Sequence, residues 1–349
     1  EAQELSSESR GIVLQGAIEA LLEVNSEAKV VFSAPLISNP NYFAGVFGLE
    51  GGSDSIHERL SPVSTNLMVL SEVKSKPKQI SVSAVWGGES NFICTKEIDQ
   101  SFRGPKRLVL AAAHFSKKDE ASIVFCNGPA KAEQVATDLC ALVEARSDDS
   151  TILEAIQFIS DEVHPSYTLV NTLGKRVGYH YSKMPTVVRG IVEDLFSSGA
   201  LRFVCSTSTL LQGVNLPAKN IFIQNPKSGV GNSMKSSDFW NLAGRAGRLA
   251  KEFSGNVWCV NPSDWDEDYL AHEKSLHKVE ASLSQVVREE FGALVSALAP
   301  PSNSTDMYSV PESVEYAAGE IISNFVLADR PIDKSFLCSI HDERILKEL

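Results

Sequence analysis

The chain has no paired cysteines, no membrane-length apolar run and no phosphate loop of the G-x-x-x-x-G-K-[ST] type. Its six cysteines stand singly at 94, 126, 140, 205, 259 and 338, a pattern that argues against a zinc site or a disulfide framework. Cys126, Cys205 and Cys259 fall in apolar, strand-like runs, where a buried free thiol is the ordinary reading. The histidines show no spacing that suggests a metal either, so no metal-ligating residue is expected. No stretch approaches the roughly 20 apolar residues that span a bilayer, and no secretory signal opens the chain. The expectation is a cytoplasmic protein, or a nuclear one in a eukaryote, with no membrane partner. Gly174-Lys175 is followed by Arg176 and lacks a glycine at the offset a phosphate loop requires.

What is present begins with size and charge. The 349 residues suit two or three domains, and 43% apolar content is ample for packed cores. Net charge is −12, yet residues 165–251 hold eleven Lys or Arg against three acids, a local +8 that leaves −20 elsewhere. A basic zone on an acidic body is an electrostatic footprint for a polyphosphate; a solvated basic face is the plain alternative.

Inside that zone lies Asn241-Leu242-Ala243-Gly244-Arg245-Ala246-Gly247-Arg248. Glycine before each arginine lets the backbone bend and approach closely. Guanidinium forks grip phosphate oxygens bidentately and keep their charge. Upstream, Leu201-Arg202-Phe203-Val204 reads as a buried strand and runs into Cys205-Ser206-Thr207-Ser208-Thr209-Leu210-Leu211-Gln212-Gly213-Val214-Asn215-Leu216-Pro217-Ala218. Small hydroxyl residues past a strand's carboxyl end sit where open α/β sheets bind ligands. Gly213 admits close backbone approach, and Asn215 offers both a donor and an acceptor.

These two segments resemble motif V (T-S-T-L-x-x-G-V-N-L-P-A) and motif VI (Q-x-x-G-R-A-G-R) of superfamily-two DExH-box helicases, in their superkiller-like branch. Asn241 stands at the motif VI glutamine position. Val30-Val31-Phe32-Ser33-Ala34-Pro35 resembles motif III, a strand ending in S-A-T, with proline for threonine; Ser122 to Asn127 is similar to motif IV. Val177 to Tyr181, followed by Met184-Pro185, Arg189 and Glu193, resembles the branch's H-H-x-x-L-P segment, with Tyr181 at the second histidine. Glu1-Ala2-Gln3 reads as the tail of a D-E-A-Q box, about thirty residues ahead of the motif III candidate.

The resemblance implies roles. Arg248 is the expected arginine finger, with Arg245 beside it, and Glu1 positions the attacking water. Gly213, Asn215, Asn241 and Gln3 would line the nucleotide; Ser33 would couple hydrolysis to strand movement. Thr207, Thr209, Asn127, Gly128, His180 and Arg189 would meet the nucleic acid. Plain alternatives are serine-threonine turns for the threonines, an ordinary turn for Asn127-Gly128 and a satisfied structural histidine for His180. ATP and Mg2+ are the implied cofactors, held mainly by residues outside this chain. The expectation is therefore the C-terminal portion of a longer helicase, inactive alone. A nucleic-acid-stimulated ATPase sensor or clamp signalling to a protein partner, in the manner of anti-phage defence, is the alternative. DNA and RNA are not distinguished, because phosphate contacts carry no base information.

The pattern predicts an α/β fold: a RecA-like parallel sheet flanked by helices, then a helical segment. Residues 1–55 would end a first RecA-like domain, 56–261 form the second, and 262–349 begin a winged-helix or ratchet-like region. A helix is expected over 11–24 with Ile12, Leu14, Ile18, Leu21 and Leu22 on one apolar side. Runs at 79–86 and 91–96 predict a hairpin. Strands are expected at 123–126, 176–179, 201–205, 220–223 and 256–260, and helices at 130–144, 185–197 and 238–249, the last capped by Ser237-Asp238. Helical stripes from Leu276 to Val295 and from Val314 to Phe325 are expected to pack on the second RecA-like domain.

Overall fold

The computed structural model describes residues 2–49, 54–56, 63–143, 148–208, 216, 218–229, 231–247, 254–271, 276–298 and 310–323. The chain forms two compact units, Glu1–Arg59 with Ser275–Leu349, and Leu60–Lys274. The sequence division at 55/56 and 261/262 sets the C-terminal stretch apart; here it shares a unit with the opening residues.

In the first unit a 3-10 turn, Ala2–Ser6, leads into α1 (Glu8–Val24), and α2 spans Tyr42–Val46. Only Gly11, Ile12 and Gln15 of α1 are buried, and Leu21 is 56% exposed. The expected apolar side is therefore only partly used. The glycines decide which side faces inward: a Cβ on Gly11 would overlap the Leu5 carbonyl, and one on Gly16 the Glu320 carboxylate. The 30–35 segment forms no strand. A strand is stabilised by its ladder, and none is available to it among the described residues. It is held instead by Ala2 N–H donating to the Ser33 carbonyl (2.8 Å) and by Phe32 stacking on Phe43 and Phe47.

The second unit contains an eight-stranded sheet, ordered β3-β2-β1-β10-β7-β4-β6-β5. Its strands are β1 (Ser64–Glu72), β2 (Gln79–Trp86), β3 (Glu89–Glu97), β4 (Ser122–Phe125), β5 (Val177–His180), β6 (Phe203–Ser206), β7 (Asn220–Ile223) and β10 (Ser254–Val260). The short pair β8 (Lys227–Ser228) and β9 (Asn232–Ser233) stands apart. From β1 through β10, β7, β4 and β6 to β5 every pairing is parallel; β2 and β3 add antiparallel strands at one edge. Gly87 and Gly88, both at positive φ, make the two-residue hairpin turn. Helices α3 (Arg107–Phe115), α4 (Pro129–Leu142), α5 (Ser150–Glu162), α6 (Thr168–Leu173), α7 (Thr186–Ser197) and α8 (Ser236–Ala243) flank the sheet. Strands β4 to β7 are buried along their whole length, which explains their unbroken apolar runs. This is the mostly parallel, helix-flanked sheet that the pattern predicts.

Near the amino ends of its central strands the sheet carries a polar ladder. Asn66 donates to Asn256 (3.0 Å), Asn256 to Asn220 (2.9 Å), and Asn220 to Glu120 (2.8 Å), while Trp258 Nε1 donates to Asn220 Oδ1 (3.0 Å). Asn220 is fully buried. Asn220→Ala would leave the buried Trp258 Nε1–H and the part-buried Asn256 amide without their acceptor, so a loss of about 2–4 kcal/mol is expected. Urea denaturation of the variant beside the parent measures it; an unchanged midpoint would contradict the ladder's role.

After the sheet, α9 (Ser282–Glu289), α10 (Phe291–Leu298) and α11 (Glu312–Ile322) complete the first unit. Their stripes are expected to pack on the second RecA-like domain, but Leu283, Val286, Val287, Leu294, Val314, Ala317, Ala318 and Ile321 instead share a core with Ile12 of α1. Periodicity marks which side of a helix is apolar and does not say which partner covers it.

Candidate nucleotide and nucleic-acid sites

The expected residues divide between the two ends of the parallel sheet. At the carboxyl ends, β4 runs into Asn127 and Gly128, β6 into Thr207, and β5 ends at His180. Asn127 accepts from the Lys227 amide (2.9 Å) and donates to the Asn225 carbonyl (2.8 Å), so its side chain ties the β4 turn to the loop after β7. Gly128, at φ +117, precedes Pro129 at the start of α4, and its own amide donates to the Cys126 carbonyl (2.9 Å). The turn itself therefore employs the Gly128 amide. Donors left over at this turn are the first-turn amides of α4, whose intrahelical partners do not exist and which no side chain caps.

His180 is fully buried, with Nε2 2.7 Å from Glu193 Oε1 on α7. No face of the ring is open for a base to stack on. The structural alternative is the one the fold uses, because β5 is buried throughout. Tyr181, half-buried, follows it, donates its hydroxyl to Glu133 Oε1 (2.5 Å) and stacks on Tyr179. Burial, then the Glu133 hydrogen bond, pushes its phenol well above the ordinary range. Arg189 is half-buried on α7 with Nη2 3.3 Å from Thr186 Oγ1. Thr207 is 9% exposed, and its amide donates to the His180 carbonyl.

At the opposite, amino ends of β7, β10 and β1 lies the Gly244–Gly247 turn. The expected helix over 238–249 stops at Ala243. Lys235 is the N-cap residue, so the cap position falls before Ser237-Asp238; Asp238 lies within the first turn, where its charge suits the helix dipole. After Ala243 the chain turns, and Ala246 bridges Ala218. The Ala218 amide donates to the Arg245 carbonyl (3.2 Å), and the Gly247 amide donates to the Ala218 carbonyl (2.7 Å). Gly247 sits at φ +98, where a Cβ would overlap Val63 and stand 3.1 Å from the Gly255 nitrogen. A Cβ on Gly255 would in turn overlap the backbone between Ala246 and Gly247. Two glycines thus pack main chain against main chain and fix the peptide that carries half-buried Arg245. Asn241 is half-buried on the last turn of α8.

In the first unit, Gln3 lies in the opening 3-10 turn, and the Ala2–Ser33 backbone bond sets that turn beside exposed Ser33. Glu1, Thr209, Gly213, Asn215 and Arg248 lie outside the described residues.

Sequence reasoning missed Ala218 and Gly255. Their signal is weak: a small residue just before one strand and a glycine within another, each meaningful only once the turn is seen against them. No group of three or more His, Cys, Asp or Glu among the described residues is arranged to hold a metal. Burial holds the Cys205 and Cys259 thiols far above their ordinary range, and pushes Cys140 up to about 11, so these are packing residues. No described helix is long and apolar enough to cross a membrane.

Residues 106–250 match the helicase conserved C-terminal domain family. The chain is 30% identical over 154 residues to anti-bacteriophage protein B of Escherichia coli (strain K12), covering 44% of this chain and 20% of that protein. It is 35% identical over 100 residues to Hachiman protein HamB of Bacillus cereus, covering 28% and 9%. To the ATP-dependent DNA helicase Hel308 of Aeropyrum pernix it is 32% identical over 107 residues, covering 30% and 15%. The chain thus spans a fifth or less of these relatives' lengths. With the parallel sheet and the two segments meeting at Ala218, residues 106–250 are thus similar to a helicase C-terminal domain.

Proposed function

We propose that this chain supplies the motif III to VI portion of an ATP-dependent nucleic-acid helicase or translocase of the superkiller-like DExH branch. The observation that carries the reading is the docking of the Gly244–Gly247 turn on Ala218, the last residue of the motif V segment. Residues 1–55, 56–261 and 262–349 act as the end of the first RecA-like domain, the second one, and the start of the following region. When bound, ATP supplies the phosphoryl group whose transfer to water drives movement, with Mg2+ held by residues outside this chain. The residues present suit that partner: Arg245 and Arg248 offer fixed-charge donors to phosphate oxygens, and the packed glycines hold the backbone at Arg245 in place. Asn241, Gly213, Asn215 and Gln3 line the nucleotide, Glu1 orients the water, and Ser33 couples the two events. At the other end of the sheet, Thr207, with Arg189 and the Asn127-Gly128 turn, faces the phosphates of a strand, and Thr209 has the same role.

A second reading is a stimulated ATPase that senses nucleic acid and signals to a protein partner without processive unwinding. The names of two relatives, anti-bacteriophage protein B and Hachiman protein HamB, favour it, as does Pro35 in place of the motif III threonine. ATP hydrolysis and strand displacement by the full-length gene product, with single-stranded DNA and RNA across a salt series, separate the readings. Stimulation that weakens as salt rises is expected of phosphate-driven binding. Displacement supports the motor; stimulation without displacement supports the sensor; no stimulation by either polymer sinks both.

A further inference from the structure

The His180–Glu193 pair has no part in the proposed function, although it touches Thr207, which that reading sets against a strand. His180 ends β5, is wholly buried, and places Nε2 2.7 Å from Glu193 Oε1. Its other ring nitrogen, Nδ1, is buried without a hydrogen-bond partner. Glu193 is therefore the one hydrogen-bond partner the ring has among the described residues, and it comes from α7, whose side chain there is 29% exposed. The His180 main chain has a different task. Its residue pairs with Ser206 in the parallel β5–β6 ladder, and its carbonyl accepts the Thr207 amide at 3.3 Å. Thr207 is the first residue past β6, where the motif V segment leaves the sheet.

The two halves of His180 join these facts. An imidazole held at one nitrogen by a carboxylate is oriented about its Cα–Cβ bond, and that fixes the backbone from which the ring hangs. Without the carboxylate, both ring nitrogens would lie unpartnered in a dry interior. The last residue of an edge strand would then relax toward any alternative that hydrates the ring. The carbonyl that holds Thr207 would move with it.

We propose that Glu193 and His180 are positioning residues: Glu193 clamps the His180 ring so that the His180 carbonyl holds the Thr207 amide, setting Thr207 at the end of β6 in position to meet a strand. The effect on strand binding rests on the proposed function; the clamp on the Thr207 amide does not. Neither residue touches the phosphate chain. Glu193 is the residue to change, since its partial exposure makes truncation tolerable where replacing His180 would leave a cavity.

In the full-length gene product, Glu193→Ala should speed hydrogen exchange of the Thr207 amide about tenfold or more, the scale of one lost charge-assisted hydrogen bond. It should also raise the half-saturating concentration of single-stranded nucleic acid for ATPase stimulation about tenfold, leaving the rate at saturation within about twofold. Glu193→Gln keeps an oxygen acceptor for Nε2–H and should restore both. Should Glu193→Ala fail to fold, Glu193→Asp, which draws the carboxylate back by one methylene, carries the same expectation. Unchanged exchange at Thr207, or equal loss in the Gln and Ala variants, overturns the clamp. A fall in saturated rate with no change in half-saturation assigns Glu193 to something other than strand binding, and overturns it as well. If the parent shows no stimulation, the proposed function falls while the exchange experiment still judges the clamp.

Discussion

Arg248→Ala in the full-length gene product is expected to lower nucleic-acid-stimulated ATP hydrolysis by roughly 10³-fold or more, with strand binding largely intact. An arginine finger acts on charge that develops only during transfer, so its removal strikes the rate and not the affinity for the polymer. Arg245→Ala is expected to cost roughly 10²–10³-fold, the scale of one donor removed from a preorganised site. Lysine should restore little at either position, because a point charge does not reproduce the bidentate fork. Steady-state hydrolysis at saturating polymer, together with a binding titration, reads both quantities. Turnover equal to the parent's in Arg248→Ala would remove the finger assignment.

The second large effect falls on a residue without a side chain. Gly255→Ala should destabilise the second unit by about 3–5 kcal/mol, the range reserved for changes the structure cannot absorb. The added Cβ would overlap the main chain at Ala246 and Gly247, and no rotamer change relieves a clash with backbone. Gly247→Ala should behave alike, since it combines a clash with φ +98. Gly128→Ala makes the comparison: it also sits at positive φ, but with open space around it. There only the backbone strain of about 1–3 kcal/mol applies. Chemical denaturation of the three variants should rank Gly128→Ala as the mildest. If Gly255→Ala proves as mild, the turn is not packed main chain to main chain. A Gly255 variant that still folds should lose hydrolysis as well, because it displaces the peptide carrying Arg245.

Much of the parallel sheet was readable from local pattern. Strands buried on both faces appear as short apolar runs, and 220–223 coincides with β7. The runs at 79–86 and 91–96 announced a hairpin, and the structure closes it at Gly87-Gly88, because residues tolerant of positive φ make so tight a turn. Other readings failed where a neighbour far along the chain decides the outcome. The helix over 238–249 ends at Ala243 because Ala246 pairs with Ala218 and Gly247 packs on Gly255. The 30–35 run has strand composition but no ladder among the described residues to join. His180 looked available next to a loop, yet β5 carries it inside.

Residue order by itself determined that a glycine-arginine turn follows a strand-loop segment rich in small hydroxyls, and that helices alternate with buried strands between them. These are local properties, set by side-chain volume, backbone freedom and apolar spacing. Only the folded chain decided that the arginine turn meets the Ala218 end of that segment at the amino ends of the strands, while Asn127, Thr207 and Tyr181 gather at the carboxyl ends. Parallel pairing is the physical reason. It aligns the same end of every strand whatever the separation in sequence, so residues adjacent in a motif can lie at opposite ends of the sheet, and residues far apart can meet.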